Sequence, residues 1–477
     1  MVDVLVSLVA AMSTRDETRP PAAAQIPVCC LAPAPPPPVS RARTARRVLE
    51  VLGAALAYGL LPLLVPARRR RAPGPVRLRR ALERLGGAWI KLGQLLALRF
   101  DLLPEAYCVE LFDLLNRVTP FPYAEVERII RRELGRPVDE LFASFERNPF
   151  GSASIGQVHD AVLHDGRRVA VKVQRPGIDA LFMCDIALMY RISRVLDWTH
   201  VFGGTRSREV IDELARWTRE ELDYTVEAAN AATMRAAVRD ASTEYDPEIF
   251  FDYTSRRVLT AERLDGLLLV DIIRDLREDR DRATQRLREA GHDLDRAATN
   301  IVWNFLSQAY ATGIFHGDLH PANLLLLEED RIGYVDFGII GRLSESVHES
   351  LGRYAMRLFG GESGAAVEDF LGWMRPSKAT NLAVAKREMT ELTERFLENL
   401  ERATSHRREL LARYQIDLLS ATRAHRMVID PAVILYMKVV LTIDAVTTEL
   451  APALDLQSLH ARFFAELIIE GLGDGEG

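Results

Sequence analysis

The residues best suited to chemistry lie in two neighbouring stretches, His316-Gly-Asp318-Leu-His-Pro-Ala-Asn323-Leu-Leu and Tyr334-Val-Asp336-Phe-Gly338. Phosphoryl transfer needs a carboxylate to orient the attacking hydroxyl and hard oxygen ligands to hold magnesium on the phosphates. Asp318, with Asn323 five residues later on a loop running into a strand, can supply the orienting group and one metal ligand. Asp336, eighteen residues beyond Asp318, can supply the second metal ligand. Asp-Phe-Gly alone recurs by chance in many chains; the ordered pair is specific. Upstream, Arg168-Val-Ala-Val-Lys172-Val alternates as a half-buried strand does. A lysine there would ordinarily point to solvent, but Val-Ala-x-Lys ahead of such a loop assigns Lys172 to the α- and β-phosphates and to a helix-borne glutamate. The run Glu220 to Asn230 is the expected source of that glutamate. Gly151-Ser152-Ala153-Ser154-Ile-Gly156 stands where a phosphate loop is needed. Its backbone N–H groups can face a phosphate, although Ala and Ser stiffen it relative to glycine.

These groups need strands and helices to carry them. Leu82, Leu85, Trp89, Leu92, Leu95 and Leu96 recur at three- and four-residue steps, as an amphipathic helix requires, with Trp89 and the leucines as core. Further helical sequence runs through Leu111–Leu115 and Val126–Leu134. Phe150–Val173 then reads as two strands joined at Asp165-Gly166, a hairpin signal. Helical periodicity returns after Pro176 and continues through Ile211–Asn230. Val258–Leu264 and Ile332–Val335 are expected strands, Asp295–Thr312 a helix, and the chain from Ser344 onward almost wholly helical.

A chain of 477 residues holds two ordinary domains or one two-lobed enzyme with additions. Its 48% hydrophobic content suits a globular core, and a net charge of −6 gives no basis for a nucleic-acid partner. Cys29, Cys30, Cys108 and Cys184 form neither a metal spacing nor a disulfide framework, so they are expected to be reduced and without function. Residues 1–47 read as a disordered Pro- and Arg-rich stretch, without the basic start of a cleaved secretory signal. Residues 48–77 combine apolar Val48–Val65 with the basic run Arg68–Arg71. That pairing suits an anchor or interfacial helix on an anionic membrane surface, or else a buried helix followed by a solvated basic turn.

Over most of Leu78–Leu456 the chain resembles the UbiB/AarF family of atypical protein-kinase-like proteins. The residues that carry the resemblance include Lys91-Leu-Gly-Gln94 (KxGQ) with Leu98-Arg-Phe-Asp-Leu-Leu-Pro104 after it. They continue with Ala153-Ser-Ile-Gly-Gln-Val-His159, Val171-Lys172-Val-Gln-Arg-Pro176, Glu221-Leu-Asp223 (ExD) and Thr260-Ala-Glu262 in a hinge strand, besides the two stretches above. KxGQ and ExD are absent from ordinary protein kinases. The resemblance implies an α+β, two-lobed kinase-like fold, with a helical KxGQ extension over 78–148, an N-lobe over 149–264 and a helical C-lobe over 265–470. It implies that Lys91 and Gln94 lie on a helix folded over the active site, held by Glu221 and Asp223, and that Glu227 partners Lys172. Gly151, Ser152, Ala153, Ser154 and Glu262 would contact the nucleotide. It further implies ATP and Mg2+ as cofactors, ATPase or small-molecule kinase behaviour, and a role in ubiquinone or other isoprenoid-lipid metabolism with partners from that pathway. The implied location is the cytoplasmic side of a membrane. Two departures stand out: Gly151-Ser-Ala-Ser154 replaces the family's Ala-Ala-Ala-Ser, and the pair of C-terminal membrane helices common in bacterial members is not seen. An aminoglycoside- or choline-kinase-like phosphotransferase and an ATP-gated scaffold are the competing readings.

Overall fold

Val169, Val171 and Val173 take every second position around Lys172, and β-branched residues so spaced favour a strand with one buried face. The computed structural model describes residues 41–60, 73–97, 99, 103–112, 114, 120–152, 155–199, 207–402 and 407–473. In it these valines form part of an interior strand of a five-stranded antiparallel sheet. Its strands are β1 (Phe142–Phe145), β2 (Gly151–Ser152), β3 (Gly156–Leu163) and β4 (Arg168–Gln174). After β5 (Glu244–Tyr245), which belongs elsewhere, β6 (Val258–Glu262) completes it, in the order β1-β3-β4-β6 with β2 on β3. All three valines are fully buried against Val126, Ile129 and Ile130 of the helix Tyr123–Leu134. The β3–β4 turn depends on Gly166, whose φ of +89° disfavours any residue with a side chain.

The second lobe is mostly helical around a small sheet. β7 (Leu267–Leu268), β9 (Leu324–Leu326) and β10 (Ile332–Tyr334) join β5 in the order β5-β10-β9-β7, while β8 (Ile314–His316) pairs with β11 (Ile340–Arg342). The fold is α+β and two-lobed, as expected from the sequence. Beyond Ser344 the expected helices appear, but Met374–Pro376 also pairs with Met427–Ile429. Three-residue strands are too short to display a period of two.

The N-terminal helices depart most from expectation. A helix begins at Arg41, inside the stretch read as disordered, and runs to Ala54 before a wider turn to Leu60. Arg47, on the polar side of the expected boundary, is buried and pairs with the fully buried Asp185 at 2.6 Å. It also donates to the Leu85 carbonyl at 2.6 Å. A buried ion pair holds only when its remaining groups are bonded, and this one pins the helix to the body. Ala54, Val51 and Tyr58 pack inward in the same cluster as Trp89, whereas Leu49, Leu52 and Leu56 are 70%, 60% and 49% exposed. Among the described residues no helix is long and apolar enough to cross a membrane. Residues 1–40 and the Arg68–Arg71 run lie outside the described residues.

The helix Ala88–Ala97, which carries Lys91 and Gln94, buries Trp89, Leu95 and Leu96 in a cluster shared with Ile155, Tyr224 and Leu259 of the N-lobe. The next helix, Glu105–Phe112, places Cys108 in the core of the C-lobe helices. The extension is therefore rooted in both lobes. Cys108 and Cys184 are buried free thiols, and Cys29 and Cys30 lie outside the described residues.

Candidate active site

Lys172 lies opposite Val158 of β3 and Leu259 of β6, on the face of β4 away from the buried valines. Its ammonium donates to both oxygens of Glu227, at 2.7 and 2.8 Å, and sits 5.2 Å from the centre of the Tyr224 ring. Glu227 occupies the first turn of the helix Tyr224–Ala237. Asp223 caps that helix, accepting the Thr225 N–H at 3.1 Å and its hydroxyl at 2.6 Å. At the start of β3 the chain passes so close to β4 that a Cβ on Gly156 would lie 2.7 Å from the Val173 carbonyl oxygen.

From the second lobe, the fully buried His316 ties two loops together. Its Nδ1 accepts the Asp318 N–H at 3.1 Å, and its Nε2–H donates to the Asp336 carbonyl at 2.6 Å. Burial lowers the imidazole's pKa and keeps it in the neutral form this pattern requires. Asn323 donates to the Asp318 backbone carbonyl at 3.1 Å and to Asp318 Oδ2 at 3.0 Å. Asp318 Oδ1 accepts from Lys438 Nζ at 2.8 Å. Asp336 Oδ1 accepts the Gly338 N–H at 2.9 Å, and its Oδ2 lies 3.4 Å from Lys172 Nζ. That contact and the bond from Asn230 Nδ2 to the Phe337 carbonyl, 3.0 Å, join the lobes at the site.

Lys172, Glu227, Asp318, Asn323 and Asp336 thus converge. The Asp318 and Asp336 side chains remain 38% and 44% exposed, so a ligand can reach them. Burial works against the charge on Lys172, but Asp336 and Glu227 outweigh it and its pKa stands well above the ordinary value. Burial pushes the Glu227 carboxyl up, against the pull of Lys172. Burial would also raise Asp318, yet Lys438 holds it down at about 2. Asp336 is likewise lowered, because Lys172 and the Gly338 N–H overcome burial.

Lys91 Nζ reaches Glu221 Oε1 at 2.5 Å, joining the extension to the helix that ends at Glu221. Gln94, half-buried, lies one turn along from Lys91. Asp223 does not reach them; it caps its own helix and lies 3.8 Å from Arg256. The Glu262 carboxylate accepts from Tyr245 at 2.8 Å and from the Glu248 N–H at 3.1 Å, so its side chain is already engaged. Gly151 and Ser152 form β2, while Ala153 and Ser154 lie outside the described residues. Lys438 escaped sequence reasoning, although a lone lysine inside the apolar run Val433–Leu441 was a visible signal. Asn230, three residues after Glu227 and on the same helix face, was a second such signal.

Among the described residues, no cluster of three or more His, Cys, Asp or Glu could hold a metal ion unaided. The site instead offers Asp336 Oδ2 and the Asn323 Oδ1 that its amide leaves for an acceptor role. A few hard oxygens of this kind fit magnesium, which takes one or two protein ligands and completes its shell with phosphates and water.

A strand lysine paired with a helix glutamate, facing an Asp-x4-Asn loop and an Asp-Phe-Gly turn across two lobes, defines a protein-kinase-like fold. The profile of the ABC1 atypical kinase-like domain matches residues 113–369. Two relatives, each described as a probable protein kinase UbiB, are 32% identical. The one from Marinobacter nauticus aligns over 83% of this chain and 70% of its own length. The one from Cellvibrio japonicus aligns over 86% and 73%. Among solved structures, the complex of Rv3197 with erythromycin from Mycobacterium tuberculosis is similar with a TM-score of 0.54 at 26% identity. It covers 85% of this chain and 95% of that one. The chain belongs to the ABC1 atypical kinase-like family, with UbiB proteins among its relatives.

Proposed function

We propose that this chain binds ATP with magnesium and acts as an atypical kinase or ATPase of the UbiB type. The observation that carries this reading is the 3.4 Å approach of Lys172, bonded to Glu227, to Asp336 across the interlobe opening. Lys172 would bind the α- and β-phosphates, with Glu227 fixing its direction. Asn323 and Asp336 would hold magnesium, which supplies charge neutralisation on the phosphates. Asp318 would orient the acceptor hydroxyl and take its proton late in the transfer. A loose transition state asks for orientation more than for early proton removal. The full chain is expected to hydrolyse ATP only with magnesium present, losing turnover in EDTA and regaining it when magnesium is restored. If ATP neither binds nor turns over under these conditions, the reading fails.

The UbiB relatives support a role in ubiquinone or other isoprenoid-lipid metabolism, with the acceptor or partner drawn from that chemistry. The Lys91–Glu221 pair would keep the KxGQ helix on the N-lobe and regulate access to the site. The exposed ridge Leu49, Leu52 and Leu56, beside the 85% exposed Arg46, suits an interfacial helix on an anionic bilayer. In flotation with phosphatidylserine-containing liposomes the full chain should rise with the lipid, and a Leu49→Ser, Leu52→Ser, Leu56→Ser variant should remain largely below. Equal flotation of both would remove the ridge from the account.

A further inference from the structure

The helix Pro431–Leu450 carries a single basic residue, Lys438, in its apolar first half. A lysine there sacrifices hydration unless something compensates it. Its side chain is 16% exposed, and its ammonium lies 2.8 Å from Asp318 Oδ1 and 3.3 Å from the Gly317 carbonyl. Asp318 therefore carries a hydrogen bond on each oxygen, from Asn323 on Oδ2 and from Lys438 on Oδ1. Oδ1 could accept a second hydrogen bond, but the ammonium at 2.8 Å crowds that side of it and draws off its negative charge, so an acceptor hydroxyl is held better there once the ammonium has turned away. An ammonium has three N–H donors on a flexible stem, and two are accounted for by these contacts.

The charge layout adds a second argument. Lys172 approaches Asp336 from the sheet of one lobe, and Lys438 approaches Asp318 from a helix of the other. A phosphate chain laid between the two aspartates would meet a cation at each end. The end beside Asp318, where the acceptor must sit, is the end of the transferred phosphoryl group.

We infer that Lys438 is a positioning residue for the terminal phosphoryl group: from its contact with Asp318 Oδ1 it turns to a γ-phosphoryl oxygen when a triphosphate enters, and so frees that carboxylate oxygen for the acceptor. The inference rests on the phosphotransferase reading above. In the transfer, the acceptor oxygen bonds to the γ-phosphorus as the bond from that phosphorus to the bridging oxygen breaks, and the electron pair stays on ADP. The acceptor's proton passes late to Asp318 Oδ1 and from there to solvent. Lys438 takes no part in bond making; it neutralises charge and sets the order of events.

Binding of ADP and of the non-hydrolysable β,γ-imido-ATP, each with magnesium, tests this in the full chain by calorimetry. Lys438→Met should weaken the imido-ATP complex about tenfold, the loss of one charge-assisted contact, and leave ADP affinity within about twofold. ATP turnover in that variant should fall about 100-fold. Lys438→Arg, which keeps a cationic donor, should recover most of the imido-ATP affinity. If the methionine variant does not fold, Lys438→Gln serves the same comparison. Equal affinities for wild type and variant, or equal losses for both nucleotides, would reduce Lys438 to a structural counter-ion and overturn the inference. Wild type that binds neither nucleotide would instead overturn the phosphotransferase reading.

Discussion

Asp336→Asn is expected to lower magnesium-dependent ATP turnover by at least about 10³-fold, since a directly bound metal accounts for several kcal/mol of transition-state stabilisation. The substitution is nearly isosteric. An amide oxygen in place of Oδ1 can still accept the Gly338 N–H that now spans 2.9 Å, so the turn should survive. What is lost is the negative charge that would hold magnesium and that balances Lys172 at 3.4 Å. Folding should therefore persist while the magnesium requirement rises steeply. Single-turnover hydrolysis measured against magnesium concentration, with circular dichroism on the same sample, provides the check. Turnover within tenfold of wild type would remove Asp336 from the metal site.

Asp318→Asn should lower kcat by about 10² to 10⁴-fold without weakening ATP binding, because the group acts on the acceptor and its loss leaves Lys438 free for the phosphate. The hydrogen bond from Asn323 at 3.0 Å can survive on the new amide oxygen, but the charge that draws in Lys438 is gone. Lys438 holds the Asp318 carboxyl at about 2 while the two are in contact, and on the inference above that hold is released when Lys438 turns to the phosphate. Kinetics and nucleotide binding on the same variant separate the cases. A large loss of ATP affinity with intact kcat would make Asp318 a binding residue and defeat the assigned role.

Much of the site was readable because its members are clustered in the chain. Asp318, Asn323 and Asp336 fall within nineteen residues, and the alternation around Lys172 fixes both its strand and its face. Glu227 was harder, since Glu220 and Glu221 lie in the same run; only the family resemblance selected it. The ExD aspartate shows where motif and geometry part. Asp223 and Glu221 are two residues apart, yet one ends a helix beside Lys91 and the other caps the next helix. Lys438 could not be placed from sequence, because its partner lies 120 residues earlier and only tertiary packing brings the two together. Arg47 misled for the same reason. It closes the stretch 1–47 read as disordered, and its burial depends on Asp185, 138 residues later.

The anchoring of the extension in both cores has a mechanical consequence. With Trp89 embedded among N-lobe side chains and Cys108 among those of the C-lobe, the lobes cannot swing apart as a free clamshell. Any widening of the gap must drag one of these plugs across close-packed apolar neighbours, and such interiors yield in discrete steps more than by gradual stretch. For the proposed nucleotide the stroke of entry and exit would be short, its length set by these two plugs.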